Sequence, residues 1–464
     1  MWPVARGGLR YNGRMTPPGA LPPYHRSESP APEMVAGDDG GGGLSPVSVE
    51  PLAAEAVKHH RHNFLVTVVF QVVLRCGWIF KTESIVIPAV LLTMGAQGWL
   101  RGFLPVISRI GMCLPPLLLA SRIRVFPRKK WLVFACTGMM AACFLTLAVT
   151  WKIVPLKTSW LPAGFLAIYA LFFVAVGINN LVGNTIQGKL IKVKSRGRLL
   201  KLSSFWGAAF AILLAGLLMP GWLKGENGSF QWIFGFTGVC FAIAAVIVLK
   251  LKEYPDEFQD QVDKPAWRLR DVLAPLRQDI HFRRLCLVAG LFSVSVMLFP
   301  HYQPMAQDKL KFNLMSLVIW VMVQNTGTGL FSVIVGPIAD RHGYRLVLRL
   351  VLIVVAATPL LAITLASSSL EGRGLYWSVF VLIGLTPVIM KTLLNYTLEM
   401  APAQDHTRYL AIMSLSISGP LMASPIAGVL IDRFSYTPVF IGVALVVGIG
   451  WLFTFTLLEP RNRQ

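Results

Sequence analysis

The sequence predicts an all-α integral membrane protein with twelve transmembrane helices, arranged as two pseudo-symmetric six-helix bundles. Of its 464 residues, 55% are hydrophobic and 14% are charged, whereas soluble domains carry about 25% charged residues. Apolar runs of spanning length recur along the chain, and one long polar segment separates six of them from six others. These observations exclude an ordinary soluble enzyme and an intrinsically disordered chain.

The apolar runs set the predicted spans, because a helix needs about 20 apolar residues to cross the hydrocarbon of a bilayer. We predict spans at 64–94, 97–120, 131–151, 162–188, 200–220, 231–250, 285–305, 314–338, 345–367, 375–400, 408–431 and 436–458. The first is long enough to bend, and Pro88 is the residue expected to kink it. The predicted domains are a disordered Gly- and Pro-rich tail (1–57), a first bundle (58–250), a linker (251–284) and a second bundle (285–464).

The formal net charge of +21 raises the alternative of a nucleic-acid-binding protein. The cations instead form short clusters between spans, at 122–130, 189–201, 250–284 and 341–345. Loops rich in Lys and Arg stay in the cytoplasm. We therefore expect a multi-pass protein of the cytoplasmic (inner or plasma) membrane with both termini inside, surrounded by lipid and without a nucleic-acid partner. The six cysteines lack metal-ligand spacing, so no metal or cofactor is expected.

An internal repeat relates the two predicted bundles. An offset of 212 residues aligns Pro88 with Pro300, Gln187 with Glu399 and Arg196 with Arg408. Each coincidence alone is weak, but together they keep one register across most of each half. This register indicates a duplicated six-helix unit.

A loop motif follows the eighth span and reads G-P-I-A-D-R-H-G-Y-R from Gly336 to Arg345. It resembles the G-x-x-x-D-R-x-G-x-R signature of the major facilitator superfamily. Gly336, Asp340, Arg341, Gly343 and Arg345 carry the match. With the twelve spans and the six-plus-six repeat, the resemblance covers residues 63–458. It implies a secondary transporter that works by alternating access, and no enzyme.

The residue types of this motif suit a gate at the cytoplasmic side. Gly336 is expected to let two helices approach closely, and Gly343 to permit a tight turn. Asp340 is expected to face the positive end of a neighbouring helix, with arginines beside it to bind acidic partners. The acid that ends the tenth span and the arginine that begins the eleventh complete the predicted gate, which comprises Gly336, Asp340, Arg341, Gly343, Arg345, Glu399 and Arg408. A simple role as topology anchors is the alternative.

The first half lacks two acids of this gate. In the best register Ile123 replaces the aspartate, and neutral Gln187 stands where the second half has Glu399. We therefore expect one ionic latch, formed by Asp340, Arg341 and Glu399, and a vestigial copy in the first half.

Charged residues inside spans mark candidate functional sites, since each costs about 2.5–3.5 kcal/mol at the membrane centre on insertion scales. Glu83 is the acid placed well inside the apolar zone, and Arg109 of the next span is its expected partner. Lys81, Arg101 and His301 are expected to extend to an interface. The predicted substrate or proton pathway comprises Arg75, Glu83, Arg109, Asn180, Asn184, Lys391 and Asn395. The family resemblance implies that most of these, and His301, line a central cavity.

These residues give the predicted cavity a net positive charge, from Arg75, Arg109 and Lys391 against Glu83. We therefore expect a small anionic substrate, with Glu83 as a proton carrier, in a monomeric symporter or antiporter. A permanently ionised Glu83 and transport without protons is the alternative for that residue. Two other functions stay open: facilitated diffusion by a uniporter, and a transport-dead membrane receptor or lipid-handling scaffold. A structural network or interhelical hydrogen bonding is the alternative for the polar residues.

Overall fold

The computed structural model describes residues 59–224, 228–255, 274–368, 371–402 and 405–459. The predicted tail over 1–57 lies outside this range. Residues 256–273 of the predicted linker also lie outside it. We call residues 59–255 the first half and residues 274–459 the second half.

The described part of the first half is helical, with short connections. Its helices are α1 His60–Ile79, α2 Val86–Thr93, α3 Gly98–Arg101, α4 Phe103–Val125, α5 Lys130–Ile153, α6 Leu161–Leu190, α7 Val193–Trp222 and α8 Phe230–Leu249. Helices satisfy their own backbone hydrogen bonds, which lipid requires.

The second half repeats this arrangement after a short helix, with several spans divided into two segments. Its helices are α9 Ala274–Gln278, α10 Ile280–Ser293, α11 Phe299–Leu310, α12 Ser316–His342, α13 Tyr344–Ser367, α14 Glu371–Leu375, α15 Trp377–Ile383, α16 Thr386–Met400, α17 His406–Leu421, α18 Ser424–Phe434 and α19 Tyr436–Phe453.

Eleven of the helical segments in the described range are long and apolar enough to cross a membrane. The second predicted span corresponds to α3 and α4, and some α4 side chains lie outside the described residues. Each predicted span therefore has a helical counterpart, which confirms the predicted all-α, twelve-helix fold class.

Matching interruptions occur in the first and seventh spans. The first span is irregular between Ile79 and Val86, and the seventh contains a 3-10 segment at Val294–Leu298. Pro88 and Pro300 both lie in the first turn of the segment that follows. The first span thus breaks before Pro88, since a proline is tolerated in the first turn of a helix but not in its interior.

The most extensive helix pairings are the same in both halves. The third span packs on the sixth, the second on the fourth and the first on the fifth. In the second half the ninth span packs on the twelfth, the eighth on the tenth and the seventh on the eleventh. This correspondence gives the sequence repeat a structural counterpart.

An aromatic core fills the first half between α5, α6 and α8. Phe144 meets Phe172 edge to face with ring centroids 5.0 Å apart, and Phe241 stacks on Phe172 at 5.8 Å. Aromatic pairs contribute about 0.5–1.5 kcal/mol beyond the area they bury. This core borders the site described below, and its rings also surround a charged side chain.

Candidate functional site

The two halves are joined at the end of the bundle that contains Gly98, which we call the Gly98 end. The Asp432 carboxylate accepts hydrogen bonds from the backbone amides of Gly98 and Trp99, at 2.8 and 3.0 Å. These bonds connect the start of the second span to the end of the eleventh. A carboxylate at the amino end of a helix satisfies N–H groups that have no partner within the helix.

The same contact brings two backbones together. A Cβ atom on Gly428 would lie 2.3 Å from the carbonyl oxygen of Gly98. One on Gly102 would lie 2.7 Å from the carbonyl oxygen of Ser424. Since real Cβ atoms do not approach other atoms so closely, this surface of α3 and α18 fits only with glycine at both positions.

A third connection between the halves lies deeper, beside the interruption of the first span. The Ser84 hydroxyl donates to the Gln324 side-chain oxygen at 2.7 Å. Gly216 of α7 also lies against Met322 of α12. Among the described residues, the side-chain hydrogen bonds that join the halves involve Ser84, Gly98 and Trp99, together with a contact between Arg101 and the Tyr436 hydroxyl. All lie toward the Gly98 end, so that end is closed in this conformation.

Lys81 lies in the interruption of the first span and is buried, with 1% of its side chain exposed. Its ammonium lies 3.7 Å from the centroid of the Trp78 ring, 4.5 Å from that of Phe173 and 4.9 Å from that of Phe172. It also donates to the Tyr169 hydroxyl at 3.5 Å. Aromatic faces attract a cation that has left water. The prediction that Lys81 extends to an interface is therefore wrong.

Glu83 is paired with Lys81 across 3.1 Å, and 31% of its side chain is exposed. The predicted partner, Arg109, acts on Glu83 through its charge but forms no ion pair with it in the described structure. The sequence prediction of a Glu83–Arg109 pair is wrong, because the irregular backbone at 80–85 turns Lys81 and Glu83 toward each other. In a continuous helix, residues two apart would not face each other.

A cavity of about 150 Å³, lined by apolar and amide side chains, lies in the first half between the first, third, fourth and sixth spans. Five amide side chains line part of it: Gln71, Asn179, Asn180, Asn184 and Gln187. Gln71 donates to Gln187 at 3.1 Å, and Thr137 donates to the buried Asn179 at 3.2 Å. The predicted pathway residues Asn180 and Asn184 therefore lie together, and Gln71 and Gln187 join them.

The remaining predicted pathway residues are exposed or half-buried within their spans. Arg75, Lys391 and Asn395 are exposed, and Arg109 is half-buried. The Arg75 side chain packs on Gly207 of α7, where a Cβ would lie 2.9 Å from its Cδ. None of the three cations forms an ion pair with a described residue. Because a charge that faces lipid is costly, we expect these side chains to face water.

The predicted gate lies at the opposite end of the bundle, the Asp340 end. Gly343 adopts φ = +81°, the left-handed conformation that favours glycine, and so forms the expected tight turn. A Cβ on Gly336 would meet no described atom within 4 Å, so Gly336 makes no close helix contact in this conformation. Asp340, Arg341 and Glu399 are exposed, and Arg345 and Arg408 are half-buried.

Sequence reasoning missed an acid that organises this turn. A Glu459 carboxylate oxygen accepts from the Arg345 backbone amide at 3.1 Å, at the start of α13. The first half has the same device: Glu253 accepts from the backbone amides of Lys129 and Lys130 at 3.0 and 2.8 Å, at the start of α5. Each acid follows the last span of its half.

The first-half acid also forms an ion pair. Lys189 lies 3.5 Å from the Glu253 carboxylate, and both side chains are largely buried. Ile123, which replaces the aspartate of the second half, is buried among apolar residues. Glu253 is the counterpart of Glu459 rather than of Asp340 or Glu399, so the vestigial first-half latch stays a prediction.

Two helical halves with polar and charged side chains within their spans are typical of a membrane transporter. A family model described as Major Facilitator Superfamily matches residues 83–325 and 316–464. The chain therefore belongs to the major facilitator superfamily and is a multi-pass secondary transporter.

Solved structures share this fold at low sequence identity. A mutant of the nucleoside transporter NupG aligns with a TM-score of 0.67 and 12% identity, covering 85% of this chain and 100% of that one. A D-xylose-proton symporter aligns at 0.63 and 13%, covering 85% and 98%. A bacterial homologue of the iron transporter ferroportin aligns at 0.60 and 15%, also covering 85% and 98%. No protein of curated function matches the sequence.

Proposed function

We propose that the protein couples the movement of a small anionic solute to protons by alternating access. The observation that carries the proposal is the Lys81–Glu83 pair. Because Glu83 pairs with Lys81, the cations Arg75, Arg109 and Lys391 form no ion pair with an acid among the described residues. An electrostatically unbalanced, water-facing set of cations favours an anion.

Protonation of Glu83 offers a physical route to coupling. A proton on Glu83 cancels its negative charge and leaves Lys81 held by aromatic rings and the Tyr169 hydroxyl. The local charge then rises by one, and an anion binds more tightly. By linkage, the bound anion favours protonation of Glu83 to the same extent. Solute and proton would thus move together.

The proposed orientation places the Asp340 end in the cytoplasm, with both termini inside. The cation-rich loops support this orientation. The structure, closed at the Gly98 end, is then an inward-facing conformation, and the predicted gate would close the other side. We further propose that the two bundles move about the linker as rigid units of a monomer.

Purified full-length protein in liposomes tests the coupling. We expect an inward proton gradient to drive uptake of an anionic solute, and Glu83→Gln to abolish the gradient dependence while exchange of solute persists. Uptake that responds equally to the gradient in Glu83→Gln would exclude Glu83 as the proton carrier. Wild-type uptake that ignores the gradient would instead support facilitated diffusion, and uptake of no solute would favour a receptor or scaffold.

Thermal unfolding against anionic, neutral and cationic metabolites identifies the solute class, because a ligand stabilises the state that it binds. We expect anions to stabilise the protein. Arg75→Gln or Lys391→Gln should weaken their apparent affinity at least tenfold. Lys309→Gln removes an exposed cation at the Gly98 end and is the matched control.

A neutral, hydroxyl-bearing solute is the second candidate, favoured by the amide-lined cavity at Gln71, Asn180 and Asn184. Amide side chains both donate and accept, which suits hydroxyl groups. The structural relatives include transporters of nucleosides and D-xylose. If only neutral polyols stabilised the protein, and Arg75→Gln did not change that stabilisation, the solute would belong to this neutral class.

A further inference from the structure

A buried polar cluster at the Gly98 end takes no part in the proposed transport pathway. It consists of Arg101 on α3, His301 on α11, Tyr436 on α19 and Asp308 on α11, and we call it the Arg101 cluster. Arg101 is 5% exposed and His301 is fully buried. The expectation that these two side chains reach an interface is wrong.

Four nitrogen atoms of this cluster are buried without a hydrogen-bond partner among the described residues. They are Nε and Nη1 of Arg101 and both ring nitrogens of His301. Arg101 and His301 lie on α3 and α11, which pack against each other at this end, and the Arg101 charge acts on the His301 ring. Native proteins rarely bury polar atoms unpaired, so these atoms indicate an occupant.

The charge balance of the cluster selects the kind of occupant. Arg101 has no carboxylate within ion-pair distance in the described structure. Asp308 is exposed and accepts a hydrogen bond at 2.7 Å from the Tyr436 hydroxyl, which also contacts Arg101, while Asp432 accepts from two backbone amides. Arg101 offers two unpaired N–H donors, and neutral His301 offers one donor and one acceptor. Excess donors beside an uncompensated positive charge suit an anion.

We propose that the Arg101 cluster binds a small monovalent anion, such as chloride, between the two halves. Arg101 belongs to the first half and His301 to the second, so both contact the anion only while the Gly98 end is closed. The anion would offset the buried guanidinium charge, which is otherwise strongly unfavourable. Its binding would therefore stabilise the conformation closed at this end.

Thermal unfolding of the purified full-length protein in sodium chloride and in sodium gluconate, at matched ionic strength, tests the site. We expect chloride to raise Tm saturably in the wild type. Arg101→Gln should weaken the apparent chloride affinity at least tenfold, and Arg373→Gln, which removes an exposed arginine at the same end, should not. If Arg101→Gln fails to fold, His301→Phe keeps the charge but loses a donor and should also weaken binding.

Crystals grown in bromide provide an independent readout. We expect anomalous signal within hydrogen-bond distance of Arg101 and His301. A Tm that is equal in chloride and gluconate, together with no bromide at the cluster, would overturn the proposal and leave ordered water as the occupant. Because this site is separate from Glu83 and the amide-lined cavity, its failure would leave the proposed transport function unaffected.

Discussion

At the residue scale, Lys81 shows how one cation is held inside an apolar half. Aromatic rings surround its ammonium, and Glu83 supplies the opposite charge at 3.1 Å. The rings satisfy the cation without fixing the acid, whose side chain stays 31% exposed. Lys81 is thus positioned by packing, and Glu83 is available to water. This asymmetry is what a reversible proton site requires.

Lys81→Met should destabilise the protein by about 2 kcal/mol, below the range for a fully buried pair because Glu83 is partly exposed. The double variant Lys81→Met, Glu83→Gln should recover most of that loss, since it leaves no uncompensated acid. Thermal unfolding of the two single variants and the double variant measures the coupling between the residues. Strictly additive losses would contradict a direct Lys81–Glu83 interaction.

At the element scale, the spans could be predicted from apolar length and the bend of the first from Pro88, but the irregular backbone at 80–85 could not. Lys81 and Glu83 meet because the first span is not helical at 80–85. Contacts of this segment with α6 and α12, rather than local helix propensity, account for that irregularity. Glu253 escaped detection because it lies outside the predicted spans, in the predicted linker, and its role depends on α5 beginning beside it. Asn180 and Asn184 were found because helical spacing alone puts them on one face.

Gly428→Ala should prevent the close approach of α18 to α3, since its Cβ would lie 2.3 Å from a backbone oxygen. Overpacking costs about 1–3 kcal/mol, so the equilibrium constant for closure of the Gly98 end should fall about fivefold or more. Cysteine labelling at this end measures the shift. Gly442→Ala on α19 meets no atom within 4 Å and should label like the wild type. Equal labelling of both variants would show that the glycine contact does not hold this end shut.

At the scale of the whole molecule, alternating access requires each end to close while the other opens. The Gly98 end is held by Asp432, whose carboxylate caps α3 across the two halves. The proposed closure of the Asp340 end uses an acid and arginines instead. Because the two devices act on the same equilibrium between two conformations, their effects should oppose each other.

Asp340→Asn should therefore favour the conformation closed at the Gly98 end and abolish transport, with near-normal insertion into the membrane. Asp432→Ala should favour the opposite conformation, because two amides of α3 lose their acceptor. Combining the two should bring the labelling of both ends back toward wild-type values, since each removes stability from one side of a single equilibrium. Cysteine accessibility at both ends, measured beside uptake, reports the balance. If Asp340→Asn transported at the wild-type rate, Asp340 would have no role in the gate. If the double variant were labelled like either single variant, the two ends would not be coupled.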